Sequence, residues 1–182
     1  MQIVGNLLIA PPSVKNGFWH KTVIYVTEHH AEGSIGLVLN KRSNLSIIEF
    51  SEQISIPIDL PGFIYVGGPV NPKSLSMLHS SEWSCSNTLR INQEFSLSSS
   101  SDMLRRLAAD DTPDYYRLFM GMSGWAPDQL VGEIAGIPPW KHDTSWCLAK
   151  ADLDLVFGSD NNDQWHESLD RSGQEFAQSI LS

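Results

Sequence analysis

The sequence predicts an α+β fold. Three observations carry that prediction: apolar runs of strand length come in neighbouring pairs, helical patterns interrupt them without a regular β-α-β alternation, and no internal repeat is present. With 182 residues, 41% hydrophobic and 18% charged, the chain is long enough to bury a real core, so a single domain over 1–182 is expected.

"IVGNLLIA" (3–10) is aliphatic and stops at Pro11-Pro12, which remove two backbone donors, so it reads as a strand. "TVIYVTE" (22–28) sets Val23, Tyr25 and Thr27 against Thr22, Ile24, Val26 and Glu28, a strand covered mostly on both faces. "SIGLVLN" (34–40) does likewise, and "HHAEG" between them predicts an antiparallel hairpin with a polar loop of about five residues. "LSIIEFSEQI" (45–54) predicts a short amphipathic helix capped by Ser46. "FIYVGGPV" (63–70) is a strand running into a tight turn, and "SLSMLHS" and "TLRINQEF" read as a second pair of strands.

After serines 98–101, which supply an N-cap, "DMLRRLAAD" predicts a helix burying Met103, Leu104, Leu107 and Ala108. "YYRLFMG" (115–121) is another strand. In "GWAPDQLVGEIAG" (124–136) Pro127 suits the first helical position, Asp128 the positive helix end and Gly136 the C-terminal cap, with Leu130, Val131 and Ile134 inward. "WKHDTSWCLA" (140–149) reads as a strand with Trp140 and Trp146 on one face. From Asp160 an amphipathic helix follows, its stripe formed by Trp165, Leu169, Phe176 and Ile180.

Composition excludes several functions. Twelve Lys and Arg face 21 Asp and Glu, a formal charge of -9, and from Pro127 onward ten acids stand against three bases. Such a surface repels phosphate backbones and disfavours direct nucleic-acid binding. Cys85 and Cys147 form no CxxC pair, so neither a zinc knuckle nor a thioredoxin-type motif can be built, and two reduced thiols are expected. No basic residue precedes the first apolar run, which fits a strand better than a signal peptide, and no run approaches the roughly 18 residues of a membrane span. A soluble, cytoplasmic protein with no membrane association, metal or cofactor is expected.

Three stretches invite chemistry. Glu28-His29-His30 could supply a metal or acid–base site, but Glu28 and His29 point to opposite faces of a continuing strand; only Glu28 and His30 could share a side, and a third ligand would have to come from His79 or a distant acid. A polar turn is the plainer reading. "GMSGW" (121–125) lacks the second glycine of a nucleophile elbow, since Trp125 stands there. "GGPVNPKS" (67–74) offers a glycine notch beside Lys73 without either nucleotide fingerprint. Six tryptophans, at 19, 83, 125, 140, 146 and 165, belong mostly in the core.

Taken in order, "GNLLIAPP", "WHKTVIYVTEH", "EGSIGLVLNK", "YVGGPV", "LH" (78–79), "GWAPDQL", Trp140 and "LVFGSDNNDQWHESL" resemble the AlgH/YqgE proteins, a bacterial family of uncharacterised function, over nearly the whole chain. The resemblance implies a bent, bifurcated mixed sheet folded into a pseudo-barrel with helices packed outside. It singles out Glu28, His29, Gly36, Asn40, Gly67, Gly68, Pro69, His79, Gly124, Trp125 and Gln129, of which Glu28, His29, Asn40, His79 and Gln129 are the polar positions where a binding groove is expected. Lys21 stands where the family favours arginine, Thr27 where many members have cysteine, and Asp128 where glycine is usual. Members are often labelled transcriptional regulators, yet no helix-turn-helix or zinc finger appears. A non-enzymatic binding module for a protein partner or small ligand is the leading expectation; a hydrolase using His29 or His79 as general base is the alternative, and a direct transcriptional regulator the third.

Overall fold

The computed structural model describes residues 2–140, 145–159 and 161–181. Its N-terminal strands bury both faces, as the apolar runs require. β1 (Asn6–Ile9) and β2 (Val23–His30) send Leu7, Ile9, Val23 and Tyr25 into one core cluster and Leu8, Ile24 and Val26 into another. β2 pairs antiparallel with β3 (Gly33–Val38). The hairpin is tighter than expected: His29 and His30 continue β2, opposite Ser34 and Gly33, and only Ala31 and Glu32 turn. A register shift between Val26 and Glu28 makes Thr27 a bulge, so the simple alternation read across 22–28 breaks there.

β4 (Arg42–Ser46) leads into α1 (Ile47–Ile54). The Ser46 cap becomes a reciprocal capping box: Ser46 Oγ accepts the Glu49 N–H at 3.1 Å, and the Glu49 carboxylate accepts the Ser46 N–H at 2.9 Å. β5 (Phe63–Val66) follows, and then β6 (Val70–Ser80). The expected pairing of 74–80 with 88–95 is replaced by a different one. β7 (Leu89–Arg90) and β8 (Phe95–Ser98) form their own hairpin, turned by Asn92, whose Oδ1 accepts the Glu94 and Phe95 N–H groups, and β8 is the strand that pairs with β6. Ser100 caps α2 (Ser101–Ala108), which buries Met103 and Leu107.

β9 (Tyr116–Trp125) organises the sheet. One edge pairs with β6; along the other, Phe119 and Met120 pair in parallel with Tyr65 and Val66 of β5, whereas Ser123–Trp125 pair antiparallel with Ser34–Gly36 of β3. Two strands thus share one edge and the sheet forks between them. At the fork the backbones nearly touch: a Cβ on Gly67 would lie 2.3 Å from the Gly121 carbonyl oxygen, and one on Gly68 would lie 2.3 Å from the Met122 carbonyl. Glycine is therefore demanded there by backbone approach.

α3 (Gln129–Ala135) starts later than expected. Asp128, not Pro127, borders its first turn, with φ 62° and no side-chain cap, and Val131 is exposed while Leu130 is buried. The positive φ accounts for the glycine that the family resemblance implies at 128. The expected strand over 140–149 is confined to β10 (Cys147–Lys150), which pairs with β1; residues 141–144 lie outside the described residues. α4 (Leu153–Phe157), not anticipated, precedes α5 (Asn161–Leu181). α5 packs on β10, β1 and β2 through Trp165, whose Nε1 donates to the Ala10 carbonyl at 2.8 Å, but Phe176 and Ile180 are 68% and 67% exposed, so the expected stripe is buried only in its first half. Among the described residues this is a ten-stranded, curled, largely antiparallel sheet with five helices, and no helix is long and apolar enough to cross a membrane.

Candidate functional site

The residues singled out from sequence fall in five places. Asn40 is 4% exposed and locks the start of β2: its Oδ1 accepts the Val23 N–H at 2.9 Å, and its Nδ2 donates to the Lys21 and Asn161 carbonyls, each at 2.8 Å. Gly67 and Gly68 form the fork; the Gly67 N–H donates to Met120, so it is not free for a phosphate, and Pro69 is exposed beside it. His79 is wholly buried, with its ring nitrogens on the Ser80 carbonyl at 2.9 Å and Ser98 Oγ at 2.8 Å and its face against Trp83. Burial pushes its pKa below the ordinary histidine value, partly opposed by the Ser80 carbonyl and the charge of Glu82.

His29 lies elsewhere. It sits opposite Ser34, which sits opposite Trp125, whereas His79 sits opposite Tyr116 at the far end of β9, nine residues away and about 30 Å of strand. The two histidines do not converge. His29 Nδ1 is 2.7 Å from Ser34 Oγ, and Glu28 meets His30 at 3.4 Å on the surface, the one pairing the strand geometry had allowed. Among the described residues no group of three metal-ligating side chains forms. Ser123 is buried, its hydroxyl donating to the Gly67 carbonyl, as a strand residue rather than a nucleophile elbow. Cys85 and Cys147 are free.

Gly124, Trp125 and Gln129 do come together, with three tryptophans that the sequence assigned mostly to the core and with Glu133, which it did not single out. They line a cavity of about 450 Å³ with Trp19, Glu133, Trp140, Trp146, Pro11 and Val14. Four of the six tryptophans surround it. Trp19 comes from the β1–β2 connection, Trp125 from the end of β9, Trp140 from the turn after α3 and Trp146 from the approach to β10. Trp19 and Trp125 each meet Trp146 edge to face, with ring centroids 5.9 and 6.5 Å apart. Trp140 lies so close over α3 that a Cβ on Gly132 would fall 2.2 Å from its ring.

Glu133 anchors this wall. Its Oε2 accepts the indole N–H groups of Trp125 at 2.9 Å and Trp146 at 2.8 Å, and its Oε1 accepts Gln129 Nε2 at 2.9 Å. Gln129 is held in turn because its Oε1 accepts the Ala126 N–H at 2.9 Å. No lysine, arginine or histidine among the described residues pairs with Glu133. The i, i+4 spacing of Gln129 and Glu133, one helix face beside a tryptophan, was the available sequence signal.

A curled α+β half-barrel whose sheet forks at paired glycines, with a tryptophan-lined cavity beside its third helix, defines the structural class. The AlgH-like family model matches residues 7–177, and the chain belongs to that family. It is 34% identical over 164 residues to a UPF0301 protein of Marinomonas sp. (strain MWYL1), covering 88% of this chain and 84% of that one, and 32% identical over 174 residues to a UPF0301 protein of Ruegeria pomeroyi, covering 93% and 91%. The solution structure of AlgH from Pseudomonas aeruginosa superposes with a TM-score of 0.74 at 31% identity, over 93% of this chain and 88% of that one. A crystal structure from Corynebacterium diphtheriae shares the fold, with a TM-score of 0.71 at 22% identity over 92% and 85%.

Proposed function

We propose that this AlgH-like chain is a single-domain, non-enzymatic cytoplasmic binding module that holds a small ligand in the tryptophan cavity and influences gene expression only indirectly. The observation that carries the reading is Glu133, a carboxylate set by three side-chain N–H donors at the wall of an aromatic cavity of about 450 Å³. That volume lies in the range of small-molecule sites, which are mostly apolar with a few fixed polar groups. Binding is favoured over catalysis because the nucleophile and base candidates are spent elsewhere: Ser123 on the fork, His79 in the core, His29 on Ser34. A small ligand is favoured over a protein partner because the polar anchor lies within a bounded cavity, and the acidic surface favours an indirect effect over contact with DNA.

A thermal-shift screen of chemically diverse metabolites on the full chain tests this. A ligand at a hundred times its Kd should stabilise the protein by about 2.7 kcal/mol, a rise of several degrees in Tm, and the rise should be clearly smaller in Trp19→Ala. A screen without hits, or hits that stabilise the variant equally, contradicts the cavity as the site. Turnover of a stabilising ligand contradicts the non-enzymatic half of the proposal.

A further inference from the structure

From the same cavity we infer the chemical class of its ligand: a small organic cation whose positive head bears N–H, a protonated amine or a guanidinium on an apolar body. The inference rests on the binding-module reading and goes further in assigning charge. Its basis is what Glu133 has and lacks. A carboxylate offers about four acceptor positions; here two indole N–H groups and one amide N–H occupy three. One position on Oε1 remains.

All three donors are neutral. They orient the carboxylate and stabilise its charge in a half-buried place, but they do not cancel it, and no cationic side chain among the described residues does so. Three N–H donors call for a carboxylate, since a neutral amide accepts only at its one oxygen, but a partly buried charge without a counter-charge still costs free energy. A ligand cation supplies the missing charge. Trp19, Trp125, Trp140 and Trp146 supply aromatic surface around the same space, the second element of ammonium and guanidinium recognition. The net charge of -9, with ten acids and three bases from Pro127 onward, draws cations and repels anions at longer range. The remaining Oε1 position favours a cation that can donate a hydrogen bond over a quaternary one.

The test is calorimetric titration of the full chain with four probes sharing one body: phenethylammonium, its N-trimethyl derivative, phenethyl alcohol and 3-phenylpropionate. The expected order is the primary ammonium tightest, at least tenfold over the alcohol, the quaternary ion between them and the anion without measurable binding. Glu133→Gln, checked for folding by circular dichroism and Tm, should remove the ammonium preference, bringing the ammonium and the alcohol to within about threefold of each other. Trp19→Leu leaves the three bonds to Glu133 in place and should weaken the ammonium about three- to tenfold, the size of a partly desolvated cation–π contact.

Ammonium and alcohol binding with equal affinity overturns the charge assignment and leaves the cavity as a binding site. A preference that survives Glu133→Gln overturns the role of that carboxylate. No binding by any probe overturns the cation inference, and the metabolite screen then judges the cavity separately.

Discussion

Asn40 and Glu133 both use three of about four hydrogen-bonding positions, yet they are different devices. Asn40 is neutral, buried, and bonds only to backbone, joining the start of β2, the chain before it and the first residue of α5. Glu133 is a carboxylate bonded only to side chains, and its donors border a cavity. Saturation alone therefore does not distinguish a lock from a site. What separates them is the nature of the partners and whether a charge is left over.

The sharpest way to break this contrast is to attack the scaffold and the cavity separately. Gly67→Ala should be the most damaging change, because the new methyl meets the Gly121 carbonyl, a backbone atom that cannot swing away. We expect a loss of about 3 kcal/mol or more in urea unfolding. Asn40→Ala strands the buried Val23 N–H and two carbonyls and should cost about 1–3 kcal/mol by the same measurement.

His79 adds a pH dependence to the scaffold. Its folded pKa lies below the ordinary value of 6.5, so the unfolded chain takes up more protons in that range. Its contribution is complete above about pH 6.5 and is lost as the pH falls from there toward the depressed folded value. The stability gap between the native protein and His79→Gln should therefore narrow between pH 7.5 and 5; a constant or widening gap contradicts the neutral buried imidazole.

Changes at the cavity should alter stability less. Glu133→Gln keeps an oxygen for the two indole N–H groups but turns its NH2 toward Gln129 Nε2, and is expected to cost about 1 kcal/mol. Gly132→Ala displaces the Trp140 ring and should change ligand affinity more than Tm, read by calorimetry beside thermal unfolding. The smallest effect is expected of Asp128→Gly, which relieves a left-handed residue but loosens the unfolded chain, for a net change below about 1 kcal/mol.

The scaffold was more legible than the cavity. Periodicity located β1, β2, β3 and α1, because strands buried on both faces and a capped amphipathic helix depend on local pattern. The hairpin loop is shorter than its polar composition predicts because histidine carries no strong strand or turn preference, and two residues suffice. The pairing of β6 with β8 is hidden in the sequence because Asn92 makes its turn inside what reads as one polar-apolar run. Motif resemblance pointed to Gly124, Trp125 and Gln129, but Trp19 and Trp146 reach them through long-range pairing of β1 with β2 and β10, which no local spacing records. Asn40, Gly67 and His79 stood out for the same reason as the cavity residues, although they serve the start of β2, the fork and the core respectively.

Six indole N–H signals in a nitrogen–proton correlation spectrum offer the most direct test. Titrating the full chain with phenethylammonium should shift the Trp125 and Trp146 signals, whose protons point at Glu133, and leave those of Trp83, bonded to Asp111, and Trp165, bonded to Ala10, in place. Trp125 and Trp146 signals that stay fixed, or that move no more than those of Trp83 and Trp165, would contradict a cation site at Glu133.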